Sequence, residues 1–325
     1  MKILVTGGAG YVGSKLVPKL LELGHEISVV DLMIYGHEVL EDHPKLLKIK
    51  GDIRNTDLLT KIIPGNDILI HLACISNDPS FELNPKLGKS INLDAFEPLV
   101  KISKKSDVNR FIYASSSSVY GIKKEKNVTE DMKLEPLTDY SKFKGDCEKI
   151  LNANRSENFI TTTIRPSTVC GYAKRQRLDL VVNILTNHAY NKRVIKVFGG
   201  EQLRPNVHID DMVQSYIEII NAPSKKINGE IFNVGYKNQS VNELALDVTS
   251  VLGDDINIIR TKSDDNRSYH VSSQKIKDVL GFETNFTIKD AVKDLKTAFD
   301  QNLLPNSFDD ENYFNIKRMQ SLKLL

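Results

Sequence analysis

The sequence KILVTGGAGYVG, which occupies residues 2–13, decides the fold. Its first part, Lys2–Thr6, is a short apolar run that predicts a fully buried strand. The glycine-rich turn Gly7–Gly13 follows, and Tyr11–Leu23 then carries helical periodicity that stops near Gly24. A glycine pattern alone is weak evidence. A glycine turn that leaves a strand and opens a helix, however, is typical of a dinucleotide-binding site.

Each residue of this turn has a predicted task. Gly7 permits the tight turn, and Gly10 lets the backbone approach a pyrophosphate, which gains from the N–H groups at the start of the helix. Gly13 allows the helix to pack closely on the sheet. Tyr11 and Val12 lie between these glycines, so we expect them to line the cofactor site as well.

Outward from this turn, short apolar strands alternate with helical stretches. The further strands predicted in this part are Glu26–Val30, Leu46–Lys50, Asp67–Leu72, Arg110–Ala114 and Ile160–Arg165, and the predicted helices are Thr56–Ile63, Lys86–Ser106 and Tyr140–Ala153. Such alternation implies crossover connections and a parallel sheet. We therefore expect an α/β fold, with a Rossmann-type doubly wound parallel sheet that forms a dinucleotide-binding domain over residues 1–165.

After about Pro166 the pattern loosens. The predicted helices there are Arg175–Asn191, Asp210–Ile220, Val241–Leu252, Ser272–Leu280 and Ile288–Phe299, with short strands at Val194–Val197 and Ile231–Val234. No Pro/Gly-rich linker separates the two parts. We expect residues 166–325 to form a smaller C-terminal substrate-binding lobe, with segments that return to the sheet and a cleft between the lobes.

An acidic residue follows the second predicted strand. Asp31 can accept hydrogen bonds from the adenosine ribose hydroxyls and would repel a 2′-phosphate, which favours NAD over NADP as the cofactor. The alternative is a solvated aspartate at a strand end. Asp52 and Ile53 follow the third strand and are candidates to flank the adenine.

A second group of residues has the chemistry of an acid–base site. Tyr140 and Lys144 are four residues apart on a predicted helix and share one face. A free tyrosine has a pKa of about 10, and a nearby ammonium favours the phenolate. Tyr140 is thus a candidate base for a substrate hydroxyl, with Lys144 a candidate ligand of the nicotinamide ribose. Ser116, directly after a predicted strand, could hydrogen-bond the reacting oxygen. A surface Tyr–Lys pair and an ordinary serine loop are the alternatives.

Composition argues against several classes of protein. With 44 Lys+Arg against 42 Asp+Glu, the chain lacks the basic excess of a nucleic-acid binder. The cysteines Cys74, Cys147 and Cys170 have no metal-ligand spacing, and no His/Asp/Glu cluster suggests a metal site. So few cysteines suit a reducing compartment, and we find no signal segment or long apolar span. We expect a cytoplasmic protein that binds no nucleic acid, membrane or metal.

Taken together, these motifs resemble the extended short-chain dehydrogenase/reductase family, whose members modify nucleotide-sugars. The resemblance covers nearly the whole chain and rests on the segments Gly7–Gly13, His71–Cys74, Ser115–Gly121, Tyr140–Lys144, Arg165–Tyr172 and Arg204–Asp211. It implies NAD as the cofactor and a nucleotide-sugar as the substrate. It also implies a homodimer, with the helices Lys86–Ser106 and Tyr140–Ala153 paired across subunits.

The same resemblance extends the list of expected site residues. Leu72 and Ala73 would contact the cofactor. Arg204 and Arg267 would hold the substrate diphosphate, and the remaining expected substrate contacts are Ser117, Ser118, Thr168 and Arg177. His71 and His208 fall in family strands or turns and are interpreted as structural.

Two further segments bear on the substrate. The run Arg175–Asn183, with Asp265–Arg267, is similar to a subgroup that acts on bacterial surface sugars, for which GDP-heptose 4-dehydrogenase is the nearest activity we can suggest. Relatives often carry Arg-x-x-Asn-Val-Tyr-Gly-Pro where this chain has Arg165, Thr168, Cys170 and Tyr172. Because the Asn and Pro of that pattern are absent here, the resemblance does not identify the residues that contact the sugar.

The resemblance predicts oxidation at C4 of a nucleotide-sugar in bacterial surface polysaccharide synthesis, by a 4-epimerase or a 4-oxidoreductase. The alternatives are a nucleotide-sugar 4,6-dehydratase and a non-catalytic dinucleotide sensor. Dehydratases of the family place acidic residues where this chain has Ser117 and Ser118, so we expect no elimination of water. Retention of Tyr140 and Lys144 argues against a sensor.

Overall fold

A seven-stranded parallel sheet forms the centre of the molecule in the computed structural model, which describes residues 1–125, 127–262, 268 and 270–323. In chain order the strands are β1 Lys2–Thr6, β2 Glu26–Asp31, β3 Leu46–Lys50, β4 Ile68–His71, β5 Arg110–Ala114, β6 Ile160–Pro166, β7 Thr168–Cys170, β8 Val194–Phe198, β9 Leu203–His208, β10 Glu230–Val234, β11 Lys237–Ser240 and β12 Asn257–Thr261. The spatial order of the central sheet is β10-β6-β5-β4-β1-β2-β3, and every pair in it is parallel. The predicted Rossmann-type fold is confirmed.

Helices cover both faces of this sheet because successive strand residues point to opposite sides. On β1, Ile3 and Val5 are buried in one apolar cluster and Leu4 in another. The helices are α1 Gly13–Glu22, α2 Thr56–Ile62, α3 Asp78–Glu82, α4 Pro85–Lys89, α5 Phe96–Lys105, α6 Asp139–Asn154, α7 Val181–Lys192, α8 Ile209–Asn221, α9 Ser224–Ile227, α10 Val241–Leu252, α11 Gln274–Leu280, α12 Ile288–Asp300 and α13 Asn315–Ser321.

The predicted single helix Lys86–Ser106 is wrong in its middle. It is divided into α4, a π-helical turn at Ser90–Asp94, and α5. The division puts Pro98 in the first turn of α5, where its missing N–H costs no hydrogen bond. The π turn also presents the Asn92 side chain to Ile75: the Ile75 N–H donates to Asn92 Oδ1 over 2.9 Å, and Asn92 Nδ2 donates to the Ile75 carbonyl over 2.9 Å.

The predicted helix Arg175–Asn191 starts too early, because α7 begins at Val181. The preceding residues are held in a non-helical loop by buried side chains. Gln176 accepts a hydrogen bond from the Ala173 N–H at 3.0 Å and donates to the Arg177 carbonyl at 3.0 Å. The loop contacts replace the first turns of the helix that periodicity alone predicted.

The second half of the chain contributes to three sheets. Its strand β10 joins the central sheet beside β6, a three-stranded sheet has the order β11-β9-β7, and β12 pairs with β8. Sequence reasoning missed β7, β9, β11 and β12. A domain boundary at residue 165 would fall inside β6, and the division into two lobes stays a prediction. Among the described helices, none is long and apolar enough to cross a membrane.

Candidate active site

A cavity of about 740 Å³ opens at the carboxyl ends of the central strands, where ligands bind in open α/β sheets. Every site residue predicted from the sequence lines this one cavity, apart from Arg267, which lies outside the described residues. The predicted residues that line it are Gly7, Gly10, Tyr11, Val12, Gly13, Asp31, Asp52, Ile53, Leu72, Ala73, Ser116, Ser117, Ser118, Tyr140, Lys144, Thr168, Arg177 and Arg204. Their individual roles remain proposals.

The glycine turn has space for a ligand only because side chains are absent from it. Gly7 has φ +75°, and a Cβ there would stand 2.5 Å from the backbone nitrogen of Ala73. A Cβ on Gly13 would stand 2.4 Å from the Gly8 carbonyl oxygen. A side chain at position 13 would therefore collide with the backbone of the turn itself. The predicted reason for this glycine was different, namely close packing of the helix on the sheet.

The turn fits the pyrophosphate of a dinucleotide. Helix α1 begins at Gly13, so the positive end of its dipole lies at the cavity wall. Tyr11 fixes the turn from behind: its hydroxyl donates to the Gly171 carbonyl over 2.6 Å and accepts from Asn183 Nδ2 over 3.1 Å.

Asp31 is positioned by the backbone on both sides of it. One carboxylate oxygen accepts from the Ala9 N–H at 3.0 Å and the other from the Met33 N–H at 2.8 Å. Each oxygen retains a lone pair for a ribose hydroxyl. Burial raises the pKa of Asp31, and the two backbone hydrogen bonds oppose that shift. Asp52, by contrast, is paired with Arg54 over 2.6 Å.

Helix α6 carries Tyr140 and Lys144. Thr138 caps its N-terminus in a capping box with Ser141, which puts Tyr140 in the first turn, where the helix dipole favours a phenolate. Lys144 Nζ lies 5.8 Å from the centre of the Tyr140 ring and donates to the Ala114 carbonyl over 2.7 Å. The predicted shared face of these two residues is thus present in the cavity wall.

The pKa of Tyr140 is raised and not lowered, although the nearby ammonium was expected to favour the phenolate. Burial raises the pKa of the Tyr140 hydroxyl, and the Lys144 ammonium opposes this increase without cancelling it. Burial lowers the pKa of Lys144, but Cys74 and Tyr140 more than offset this, so its pKa is raised. Lys144 therefore stays charged at neutral pH and makes Tyr140 a stronger acid than burial alone would allow.

The serine segment lies directly after β5. Ser116 Oγ accepts from the Ser118 N–H over 3.1 Å and lies 2.8 Å from Ser118 Oγ. These contacts start a 3₁₀ turn at Ser117–Tyr120 and leave Ser116 in the cavity wall. A hydroxyl held in this way can still donate to an oxygen of a bound substrate.

The substrate side of the cavity is lined by the second half of the chain. Thr168 starts β7, and Arg204 belongs to β9, where its Nη1 donates to the Leu203 carbonyl over 3.0 Å. Arg177 is buried and paired with Asp179 over 2.8 Å, with a further bond from Nη1 to Ser76 Oγ over 3.2 Å. Much of its hydrogen-bonding capacity is therefore used within the protein.

The cavity residues that sequence reasoning missed include Cys74, Asp78, Arg175 and Asn315. Asp78 was findable, because the turn residues Asn77-Asp78-Pro79 follow a strand at the binding edge of the sheet. The Thr138 hydroxyl donates to Asp78 Oδ1 over 2.5 Å, which ties this turn to the start of α6. Arg175 was noted only as part of the run Arg175–Asn183 and not as a site residue, and no sequence signal marked Asn315.

Two histidines have structural contacts. The His71 ring is buried 2.6 Å from Thr6 Oγ1, and burial lowers its pKa to about 3, so it is neutral. His208 lies beside Asp210 and Asp294, and its Nε2 is 3.2 Å from Asp294. His208 Nδ1 accepts from the Asp210 N–H over 3.1 Å. Its Nε2 is buried and makes no hydrogen bond to the described residues, although Asp294 lies 3.2 Å away. The absence of a metal stays a prediction.

Comparison with known proteins agrees with this geometry. The sequence pattern of the NAD dependent epimerase/dehydratase family matches residues 3–235. A UDP-glucose 4-epimerase of Lactobacillus helveticus is 29% identical over 273 residues, which cover 77% of this chain and 82% of the relative.

Solved structures of enzymes that act on nucleotide-sugars have the same fold. A UDP-glucose 4-epimerase of Thermotoga maritima, solved with UDP-glucose, superposes with a TM-score of 0.85 at 26% identity and covers 93% of this chain and 100% of its own. DesIV, a dTDP-glucose 4,6-dehydratase of Streptomyces venezuelae solved with NAD, shares the fold with a TM-score of 0.82 at 22% identity, covering 97% of this chain and 99% of its own. The chain belongs to the NAD-dependent epimerase/dehydratase family.

Proposed function

We propose that this protein is a nucleotide-sugar 4-epimerase, or a closely related 4-oxidoreductase, that acts at C4 of the sugar. The observation that carries the proposal is that Tyr140 and Lys144 line the same cavity as the glycine turn and Asp31. Similarity to UDP-glucose 4-epimerases supports chemistry at C4.

NAD, when bound, accepts the hydride from the sugar carbon. Tyr140 takes the proton from the C4 hydroxyl at the same time, and Lys144 lowers the energy of the resulting phenolate form of Tyr140. Ser116 donates a hydrogen bond to the reacting oxygen and holds it near Tyr140. Arg204 is assigned to the substrate diphosphate, for which a guanidinium offers a planar fork of donors.

The decisive experiment is incubation with a panel of nucleotide-sugars that varies the base and the sugar, with products identified by NMR. Inversion at C4 supports the epimerase, and accumulation of a 4-keto sugar supports the 4-oxidoreductase. Failure of every sugar to react or to reduce bound NAD would contradict the proposal and favour the non-catalytic sensor. A GDP-heptose belongs in the panel because that substrate stays a prediction.

A 4,6-dehydratase is the second candidate, because the carboxylate-bearing residue Asp78 lines the cavity. Dehydration needs a base for the C5 proton and an acid for the departing C6 hydroxyl, and Ser117 and Ser118 are poor at both. Asp78 brings a carboxylate into the cavity from the β4–α3 connection. We still expect no loss of water, because Asp78 supplies only one of the two groups. The other carboxylates of the cavity wall, Asp31, Asp52 and Asp179, already have partners within the protein. Mass spectrometry of the product decides this: efficient loss of one water would move the protein to the dehydratases.

A homodimer through the stretches Lys86–Ser106 and Tyr140–Ala153 remains part of the proposal. Of the apolar residues expected in that interface, Leu99, Cys147 and Leu151 are buried in the chain's own core. Half-buried residues remain for a partner: Leu87, Ile91, Ile102, Phe143 and Ile150. Sedimentation at micromolar concentration tests the dimer, and a monomer would reject it. A cytoplasmic location and a role in bacterial surface polysaccharide synthesis also stay predictions, for cell fractionation and a knockout glycan profile to test.

A further inference from the structure

Arg175 is a buried cation of the cavity wall that forms no ion pair with the described residues. It is 4% exposed and lines the cavity together with Arg177. Arg177 takes both carboxylate oxygens of Asp179, at 2.8 Å and 3.2 Å. A buried charge is costly unless it is paired. Because Arg177 and Asp179 neutralise each other, the positive charge of Arg175 is left over on this part of the wall.

The hydrogen bonds of the Arg175 guanidinium are also incomplete. Its Nη2 donates to Asn315 Oδ1, and its plane stacks on the Tyr35 ring, with 3.6 Å between the guanidinium carbon and the ring centre. Its Nε is buried and has no hydrogen-bond partner among the described residues. Burial lowers the pKa of Arg175, and the charge of Arg177 lowers it further. A bound anion would relieve both effects.

Contacts on two sides place Arg175 between the glycine turn and the Asp31 loop. Its backbone N–H donates to Ser14 Oγ over 3.3 Å, and Ser14 lies in the first turn of α1, directly after Gly13. On the other side, Tyr35 belongs to the loop that follows Asp31. Burial raises the pKa of Asp31, and the charge of Arg175 is one of the influences that oppose this shift.

We propose that Arg175 binds the diphosphate of NAD on its adenosine side. The inference rests on the proposed function, because it takes the dinucleotide to lie on the glycine turn with its adenosine ribose at Asp31. The diphosphate of NAD carries two negative charges, and a helix N-terminus supplies only about half an elementary charge. Arg175 adds a full charge and a planar set of donors.

A nucleotide-sugar carries the same diphosphate group, so it is the other possible ligand of this guanidinium. Arg204 on β9 is already assigned to that diphosphate. The contacts of Arg175 to Ser14 and to Tyr35 tie it to the two segments assigned to the dinucleotide, which favours the cofactor.

Competition against fluorescent etheno-NAD tests the proposal on the purified full chain, without any sugar. It gives the dissociation constants of NAD, ADP-ribose and adenosine, the last of which lacks the diphosphate. Arg175→Met should raise the constants of NAD and ADP-ribose about 10–100-fold, as expected for loss of a hydrogen bond to a charged group, and should leave that of adenosine unchanged. Equal losses for all three ligands would indicate a structural role only and would overturn the proposal, as would unchanged binding of NAD.

Lys174→Met is the matched control, because it removes a positive charge one residue away, from an exposed side chain paired with Glu41 over 2.9 Å. It should leave all three constants unchanged. Arg175→Gln guards against a failure of Arg175→Met to fold, since its amide can still donate to Asn315, and it should show the same selective loss of NAD. Arg175→Lys restores the charge and should recover part of the lost affinity. NAD binding no tighter than in Arg175→Gln would refute the role of the charge.

Titration of the NAD-saturated protein with UDP and GDP separates the two sources of the diphosphate. Arg175→Met should leave the dissociation constants of UDP and GDP unchanged, and Arg204→Ala should raise them. Weaker binding of UDP or GDP by Arg175→Met, with unchanged binding of NAD, would move Arg175 to the substrate and overturn its assignment to the cofactor. None of these measurements uses turnover, so their failure is distinct from a failure of the proposed chemistry at C4.

Discussion

Glu148→Gln tests how α6, which carries the proposed catalytic residues, is held against the sheet. Arg165 on β6 donates from Nε to Glu148 Oε1 over 3.0 Å and from Nη2 to Oε2 over 2.6 Å. The two side chains are only 3% and 4% exposed. The Ser115 hydroxyl, one residue before Ser116, also donates to Glu148. One carboxylate thus connects α6, β6 and the serine segment.

The expected cost follows from the burial of this ion pair. Removing one partner of a buried pair leaves an uncompensated charge and typically costs about 3–5 kcal/mol. Glutamine keeps one acceptor oxygen, and Arg165 keeps its bond to the Tyr120 hydroxyl at 2.7 Å. We therefore expect the lower end of that range, about 3 kcal/mol of unfolding free energy. Activity should fall as well, because the mutation loosens the segment that positions Ser116.

Urea unfolding at constant m-value measures this change. The double variant Glu148→Leu/Arg165→Met is the control: it removes both charges, so its stability should lie well above that of Glu148→Gln. A loss of less than about 1 kcal/mol in Glu148→Gln, the value typical of an exposed pair, would refute the reasoning.

Four further substitutions test the site directly. Tyr140→Phe should fold and keep NAD but lose about 10²–10⁴-fold in kcat, the usual contribution of a general base, and near-normal turnover would remove Tyr140 from catalysis. Because the Lys144 ammonium lowers the pKa of Tyr140, Lys144→Ala should raise that pKa further and move the rise of kcat/KM to higher pH. The same variant should bind NAD more weakly, and an unshifted pH profile would contradict the reasoning. Asp31→Ala should weaken NAD binding and relax discrimination against NADP in titration calorimetry, whereas equal affinities in the unmutated protein would remove that role. Arg204→Ala should chiefly raise KM for the nucleotide-sugar, and an unchanged KM would place the diphosphate elsewhere.

Elements built from local hydrophobic patterns were predictable from the sequence. The strands Leu46–Lys50 and Arg110–Ala114 and the helix Val241–Leu252 have the predicted bounds, because their side-chain periodicity is determined by residues adjacent in the chain. The glycine turn and the Tyr140–Lys144 face were predictable for the same reason. Each is a short motif at the end of a strand or on one face of a helix, and the parallel sheet then brings the strand ends together.

Contacts between distant residues decided the rest. In the loop that contains Arg175, buried side-chain hydrogen bonds replace the predicted helix. Asp78, which lines the cavity, accepts a hydrogen bond from Thr138, 60 residues away in the chain. Asn315 meets Ser76 across 239 residues of chain, and no pattern near either residue records that meeting. The sequence by itself determined the doubly wound sheet and the residues of the dinucleotide turn. Only the tertiary structure decided which loops enclose the cavity, because such contacts depend on how the finished elements pack and not on local periodicity.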